Sequence, residues 1–349
     1  MSAPPGGPYT RRETRRREVR RRRATAAAIA LALVVLIVVL ASGGGGSAKA
    51  RHTTRTASSG AAAQLPTSVS ASEIGRMPAA LQDAAAAATG GEEALLLGGL
   101  DEAETSLSDV TLLAGAQARH VGTLATALHD ASAATLGAST YLFGGGEESS
   151  FSAITRVSSS GETAPSGELP SPASDLAAAT LGGTAYLVGG YTGTSPLRTI
   201  LAWRGDGTGA HVAGTLAKPL RYAAVAAVGA KILIAGGTSG TAASADVYAF
   251  DPASGAVTTL ATLPHPLTHA AGAALHGAML VIGGREESPE SQTDQILAIA
   301  PNGTVRVVGA LPRPLSDAAA VAVGTRVIVA GGRDAAGHVR AEILALSAR

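Results

Sequence analysis

Residues 270–284 read AAGAALHGAMLVIGG, two short apolar runs joined by His276-Gly277 and closed by Gly283-Gly284. Apolar runs of five or six residues between turn-forming residues have the length of strands and are too short for helices. The stretch therefore predicts a hairpin. Outward from it, Leu263-Pro264-His265-Pro266 leads in, and Gly283-Gly284 opens a polar loop through Arg285, Glu286 and Glu287. A third run over 296–299, the turn Pro301-Asn302-Gly303 and a fourth run over 304–308 follow, and Leu311-Pro312 starts the order again. The Gly-Gly pair recurs at Gly98-Gly99, Gly144-Gly145, Gly189-Gly190, Gly236-Gly237, Gly283-Gly284 and Gly331-Gly332, at spacings of 46, 45, 47, 47 and 48 residues. Units of four short strands at such a period, one blade each around a central axis, make a β-propeller. The expected fold is all-β: six four-stranded antiparallel blades over residues 67–349.

The first run of each unit is rich in alanine, at 84–88, 131–134, 177–179, 223–227 and 318–322. Alanine by itself favours helix. Strands crowded around an axis, however, need small side chains, and the glycine and proline punctuation at both ends supports strand. Closure is also legible. The last unit stops after 341–346, in its third strand, while residues 68–76 stand where every other unit has its fourth. The N-terminal strand is expected to complete the last blade and so remove an exposed edge.

The leader has a different character. Residues 1–23 carry nine arginines against two glutamates, a net +7, and residues 24–42 are nineteen residues without a charge. At about 1.5 Å per residue such a run reaches roughly 28 Å, close to the thickness of a bilayer's hydrocarbon. We read 1–23 as a cytoplasmic leader, 24–42 as a transmembrane signal anchor and 43–66, rich in Gly, Ala, Ser and Thr, as a flexible tether. The alternative for 24–42 is a cleaved signal peptide, with Val39-Leu40-Ala41 as the small-residue site. Either places the propeller outside the cytoplasm, and the anchor makes this a single-pass protein of the cell membrane. Without the leader, 18 basic and 24 acidic residues remain, a net −6 that argues against a nucleic-acid partner. The chain has no cysteine, which excludes disulfides, thiolate zinc ligands and thiol nucleophiles.

The order of a small-residue strand, Gly-Gly after the second strand, aromatic-Asp-Pro after the third and Leu-Pro before the next unit resembles the kelch repeat. Val247-Tyr248-Ala249-Phe250-Asp251-Pro252 is the best single match, and the likeness runs from Ser68 to Arg349. The repeat's usual tryptophan in the fourth strand is absent; Val257 and Val305 stand there, and Trp203 falls at the end of a third strand instead. No Trp-Asp dipeptide points to a WD-type propeller. The resemblance implies that the approaches to the first strands and the loops after Gly-Gly share one face, where partners bind.

On that face the first-strand approaches carry Asp83, Asp130, Asp175, Tyr222, His269 and Asp317, one per blade, as a ring around the axial mouth. Four aspartates so placed suit a cation or a cationic ligand tip, although Asp and His at a turn ordinarily bond the turn's own backbone. Arg221 beside Tyr222 suits an anionic group. The loops after Gly-Gly add Tyr191, Arg285 and Arg333. These ten are the candidate ligand-binding residues. No catalytic set, metal site or cofactor is expected: the histidines lack metal-ligand spacing, and the Tyr-Cys copper chemistry of galactose-oxidase-like propellers has no cysteine to use. Arg204-Gly205-Asp206 and Asn302-Gly303-Thr304 read as turns. The function expected is binding or scaffolding of an envelope or extracellular protein or ligand. The alternatives are a sugar mutarotase-like enzyme, with Arg221 and Asp175 or His269 as its acid/base pair, and a structural spacer of the envelope. Only 3% aromatic residues argues against a sugar-stacking site.

Overall fold

The computed structural model describes residues 65–349, residue 241 excepted. The leader over 1–23, the membrane span over 24–42 and nearly all of the tether lie outside the described residues. Within them there is no helix, and the alanine runs form strands: Ala85–Gly90, Ser132–Leu136, Ala177–Leu181, Ala224–Val228, Ala271–Leu275 and Ala319–Val323. Each is the innermost strand of a four-stranded antiparallel sheet, and six such sheets make the six blades. Blade 4 shows the plan: Ala224–Val228, Lys231–Ala235, Ser244–Asp251 and Ala256–Leu267, from the axis outward.

The core is a set of layers between blades, because each sheet has two apolar faces to cover. Tyr186, Val188 and Ile200 of blade 3 pack against Val225, Ile232, Ile234 and Phe250 of blade 4, and the other five junctions repeat this arrangement. Phe143 and Tyr141 meet Trp203 edge-on between blades 2 and 3, at centroid distances of 5.4 and 4.5 Å. The lone tryptophan therefore does work between blades from the third strand.

Gly-Gly fastens one blade to the next. The second glycine donates its N–H to the carbonyl at the end of the lead-in segment, as in Gly284 to Leu315, Gly237 to Leu267 and Gly332 to Leu81, each at 2.8 Å. Gly283 takes a φ of 58°, and a Cβ there would sit inside van der Waals contact of the Leu315 carbonyl. Only glycine meets both demands.

The ring closes as expected. Val69–Arg76 is the outermost strand of blade 6 and pairs with Glu342–Ala348, from Val69 opposite Ala348 to Arg76 opposite Glu342, with a bulge between Glu73 and Gly75. Thr67 and Ser68 continue the join to Arg349, Thr67 Oγ1 donating to its carbonyl and its N–H donating to Ser68.

Candidate functional site

The six residues opening the innermost strands all adopt the left-handed conformation, with φ of 52° to 59°. That geometry turns their backbones toward one another. The N–H of Asp130 donates to the Asp83 carbonyl, Asp175 to Asp130, Tyr222 to Asp175, His269 to Tyr222, Asp317 to His269 and Asp83 to Asp317, at 2.8 to 3.2 Å. The result is a closed ring of six interblade hydrogen bonds around the axis. Asp and His tolerate this conformation better than most residues, which accounts for five of the six positions and leaves Tyr222 as the exception.

Because the backbone ring satisfies these turns, the ordinary expectation that Asp and His serve their own backbone gives way to a different arrangement. Their side chains bond one another. Arg221 pairs with Asp175 through Nε and Nη2, lies 4.1 Å over the Tyr191 ring, and approaches the Tyr222 hydroxyl at 3.4 Å. Tyr222 donates to Asp130 at 3.1 Å and stacks on His269 at 3.7 Å between centroids. Arg285 Nη2 donates to His269 Nε2 at 3.2 Å, so Nδ1 carries the proton and donates to Thr268 Oγ1 at 3.0 Å. Ser316 donates to Asp317, whose carboxyl lies near that of Asp83.

The second circle comes from a short antiparallel bridge repeated in every blade. The residue before each ring position pairs with the residue after Gly-Gly: Gln82 with Leu100, His129 with Gly146, Ser174 with Tyr191, Arg221 with Thr238, Thr268 with Arg285 and Ser316 with Arg333. This pairing brings Tyr191, Arg285 and Arg333 to the mouth. Arg333 stands to one side, bonded to Glu104 at 3.3 Å across the junction of blades 6 and 1. All ten candidate positions thus lie at the mouth.

Electrostatically the site is tense. Burial first, then Asp317 and Asp130, hold the Asp83 carboxyl well above the usual range. Asp130 is also well above it, through burial and the nearby Asp175 and Asp317 charges, with the Tyr222 hydroxyl pulling the other way. Asp317 is raised by burial, against the pull of Ser316 and Arg285. Burial, with Arg285 and Arg221 added, pushes His269 down to about 3, so its imidazole is neutral. His129 is lowered by burial too.

Two cavities meet at the ring. A mouth of about 490 Å³ is bordered by Asp83, Asp130, Tyr222, His269, Asp317, Arg285 and Arg333, with Leu100 and Pro289 as its apolar wall. Beneath it lies a throat of about 170 Å³, bounded by the ring and the alanines of the inner strands. Among the described residues, no three His, Asp or Glu side chains are placed to hold a metal ion.

Reasoning from the sequence missed Glu104, His129 and Gln292 as parts of this mouth. His129 bonds Ser106 at 2.9 Å and lies 3.8 Å from Asp130, while Gln292 donates to Pro289 and Ser316. The signal for His129 was its place directly before Asp130. Gln292 left none, since the bridge that seats it joins two arms of one irregular loop.

Residues 219–264, which contain the stretch Val247 to Pro252, match the Kelch motif. A solved structure titled "Structure of YjhT" is similar to this chain at a TM-score of 0.68, with 13% identity, covering 78% of this chain and 96% of that one. At that identity the likeness concerns the fold alone. No curated protein matches the chain. The motif and the six blades together support a kelch-repeat propeller.

Proposed function

We propose that this chain is a membrane-tethered, extracytoplasmic propeller that binds a protein or ligand at its axial mouth, as a non-enzymatic binding or scaffolding module. The observation that carries the reading is a cavity of about 490 Å³ bordered by Asp83, Asp130, Tyr222, His269, Asp317, Arg285 and Arg333, with Arg221, Asp175 and Tyr191 bonded or stacked beside it. That size falls within the range of small-ligand sites, about 300 to 1,000 Å³. A spacer would need no such mouth. The tether rests on the arginine-rich leader and the uncharged run behind it. Crosslinking on intact cells tests both parts: a specific partner should be captured by the full chain and lost on the double change Arg221→Ala and Tyr222→Ala. Protease added outside the cells should cleave the propeller from its stalk. A partner indifferent to both substitutions sinks the mouth as the binding face.

A second reading is favoured by one observation, the raised carboxyls of Asp83 and Asp130 in a pocket of substrate size. They suit acid/base work such as sugar mutarotation. Arg221 and His269 do not: the first is bound to Asp175, and the second is a weak base facing Arg285. Optical rotation of freshly dissolved aldoses, with and without the protein, separates the readings, since a mutarotase hastens the drift and Asp83→Asn abolishes the effect.

A further inference from the structure

The mouth carries both signs of charge, and their pairing within it is incomplete. Arg221 is committed to Asp175, which leaves Asp83, Asp130 and Asp317 without a close arginine or lysine. Their nearest basic groups are His129 at 3.8 Å from Asp130 and His269 at 3.9 Å from Asp317. In the wall of the same cavity stand Arg285 and Arg333, the first bonded to a neutral imidazole and the second to the exposed Glu104. Two polar atoms of this wall lack any partner. One is Oε1 of Gln292, an acceptor on a residue only 9% exposed; the other is Nε of Arg333, a donor. Among the described residues only Thr89 and Ser132 offer further cases, so half of these orphaned atoms belong to one cavity wall. An orphaned acceptor and an orphaned donor together call for a ligand that supplies both.

We propose that the axial mouth binds a small zwitterion, an amino-carboxylic acid whose ammonium sits among Asp83, Asp130 and Asp317 and whose carboxylate meets Arg285 and Arg333. The inference rests on the mouth being the binding face. An ammonium brings three donors, and the three carboxyls keep acceptor capacity beyond the bonds Asp130 takes from Tyr222 and Asp317 from Ser316; a guanidinium fork matches a carboxylate. A simple cation would meet Arg285 and Arg333, and a simple anion would meet the three acids. Leu100 and Pro289 offer a short aliphatic body its apolar contact. The groups facing the acids are Asp175, Arg221 and Tyr222 from blades 3 and 4, His129 from blade 2, His269 and Arg285 from blade 5, and Arg333 from blade 6. Burial and repulsion from neighbouring carboxyls hold Asp83 and Asp130 well above the usual range, and an ammonium seated among them opposes that shift and favours proton release.

Isothermal titration of the full chain tests this, with glycine, β-alanine, 4-aminobutyrate and 6-aminohexanoate set against butylamine and butyrate as single-charge halves. One zwitterion should bind at least about ten-fold more tightly than either half, and heats in buffers of differing ionisation enthalpy should report net proton release. Asp83→Asn and Arg333→Ala should each weaken it by about ten-fold or more. Thermal melts of these variants establish that they fold; should Asp83→Asn not fold, Gln292→Met, which removes the orphaned acceptor together with the amide's bonds to Pro289 and Ser316, should still weaken binding several-fold. A half that binds as tightly as its zwitterion, or no binding at millimolar concentration, overturns the proposal. If partner capture nevertheless stays sensitive to Arg221→Ala and Tyr222→Ala, only the ligand class falls; if it does not, the binding face falls with it.

Discussion

Burial and the charges of Asp317 and Asp130 all oppose ionisation of Asp83 and raise its pKa well above the usual carboxylate range. Its folded pKa lies above its unfolded one, so the folded state binds the extra proton. Stability from this group is complete below about pH 4 and declines as the pH rises through the folded value. Asp83→Asn keeps the size of the side chain without a charge to suppress. It should leave stability unchanged near pH 4 and raise it by about 1 kcal/mol or more near pH 8, read from urea unfolding at both values. An equal effect at both pH values would show that the carboxyl is already ionised. That the variant gains stability while losing ligand is the common trade at functional sites. Arg221 presents the opposite case. The Asp175 side chain is 2% exposed, and removing its arginine leaves a buried charge without a counter-ion. Arg221→Ala should cost about 3 kcal/mol, and adding Asp175→Asn should recover most of it in a double-mutant cycle.

The elements divide into those that hold a blade and those that hold blades together, and the Gly-Gly turn belongs to the second kind. Gly137 and Gly283 have nearly the same φ, 60° and 58°, but a Cβ at Gly137 meets open space whereas one at Gly283 meets the Leu315 carbonyl. Gly137→Ala should therefore cost only the left-handed backbone, about 1 kcal/mol, and Gly283→Ala about 2 kcal/mol more. Thermal melts of the two variants measure the difference, and equal losses would reduce the turn to a conformational requirement. The turn was legible in the sequence as a bend, and so were the strands, the blade count and the closing strand, because period and punctuation are local. The partner of each glycine was not, since the Leu315 carbonyl is brought to Gly283 by the next blade. The same limit applied to the mouth. The ring positions could be counted off by spacing, but that the Tyr222 hydroxyl reaches Asp130, 92 residues away, depends on the blades closing into a circle. Gln292 shows the limit at its sharpest, in a loop without any period.

At the scale of the whole molecule, stability depends on a circle with a single seam. Five blades are each made from one continuous stretch; blade 6 alone joins the two ends of the propeller, with Val69–Arg76 against Glu342–Ala348. At the seam, Glu342 gathers Arg340, Arg76 at 3.5 Å and Arg313 at 3.6 Å around a side chain only 7% exposed. Burial works to raise its pKa, yet the arginine contacts win and pull it down to about 2. Its folded pKa lies below its unfolded one, so this contribution is present above about pH 4.5 and is lost as the pH falls through about 2. Glu342→Gln should flatten that acid limb in a pH series of melts, leaving the rest of the profile in place. The seam also predicts a sharp boundary for truncation. Removing residues 1–66 spares every ladder pair of the closing strand, whereas removing 1–76 takes all of them and turns Glu342–Ala348 into an unpaired edge beside buried Ile343 and Leu346. The shorter chain should lose at least about 4 kcal/mol and associate edge to edge, as exposed strands do. A synthetic peptide of residues 67–76 added in trans should restore both its melting temperature and its monomeric mass. Equal stability of the two truncations, read by denaturant unfolding and light scattering, would mean that the propeller holds its circle without the seam.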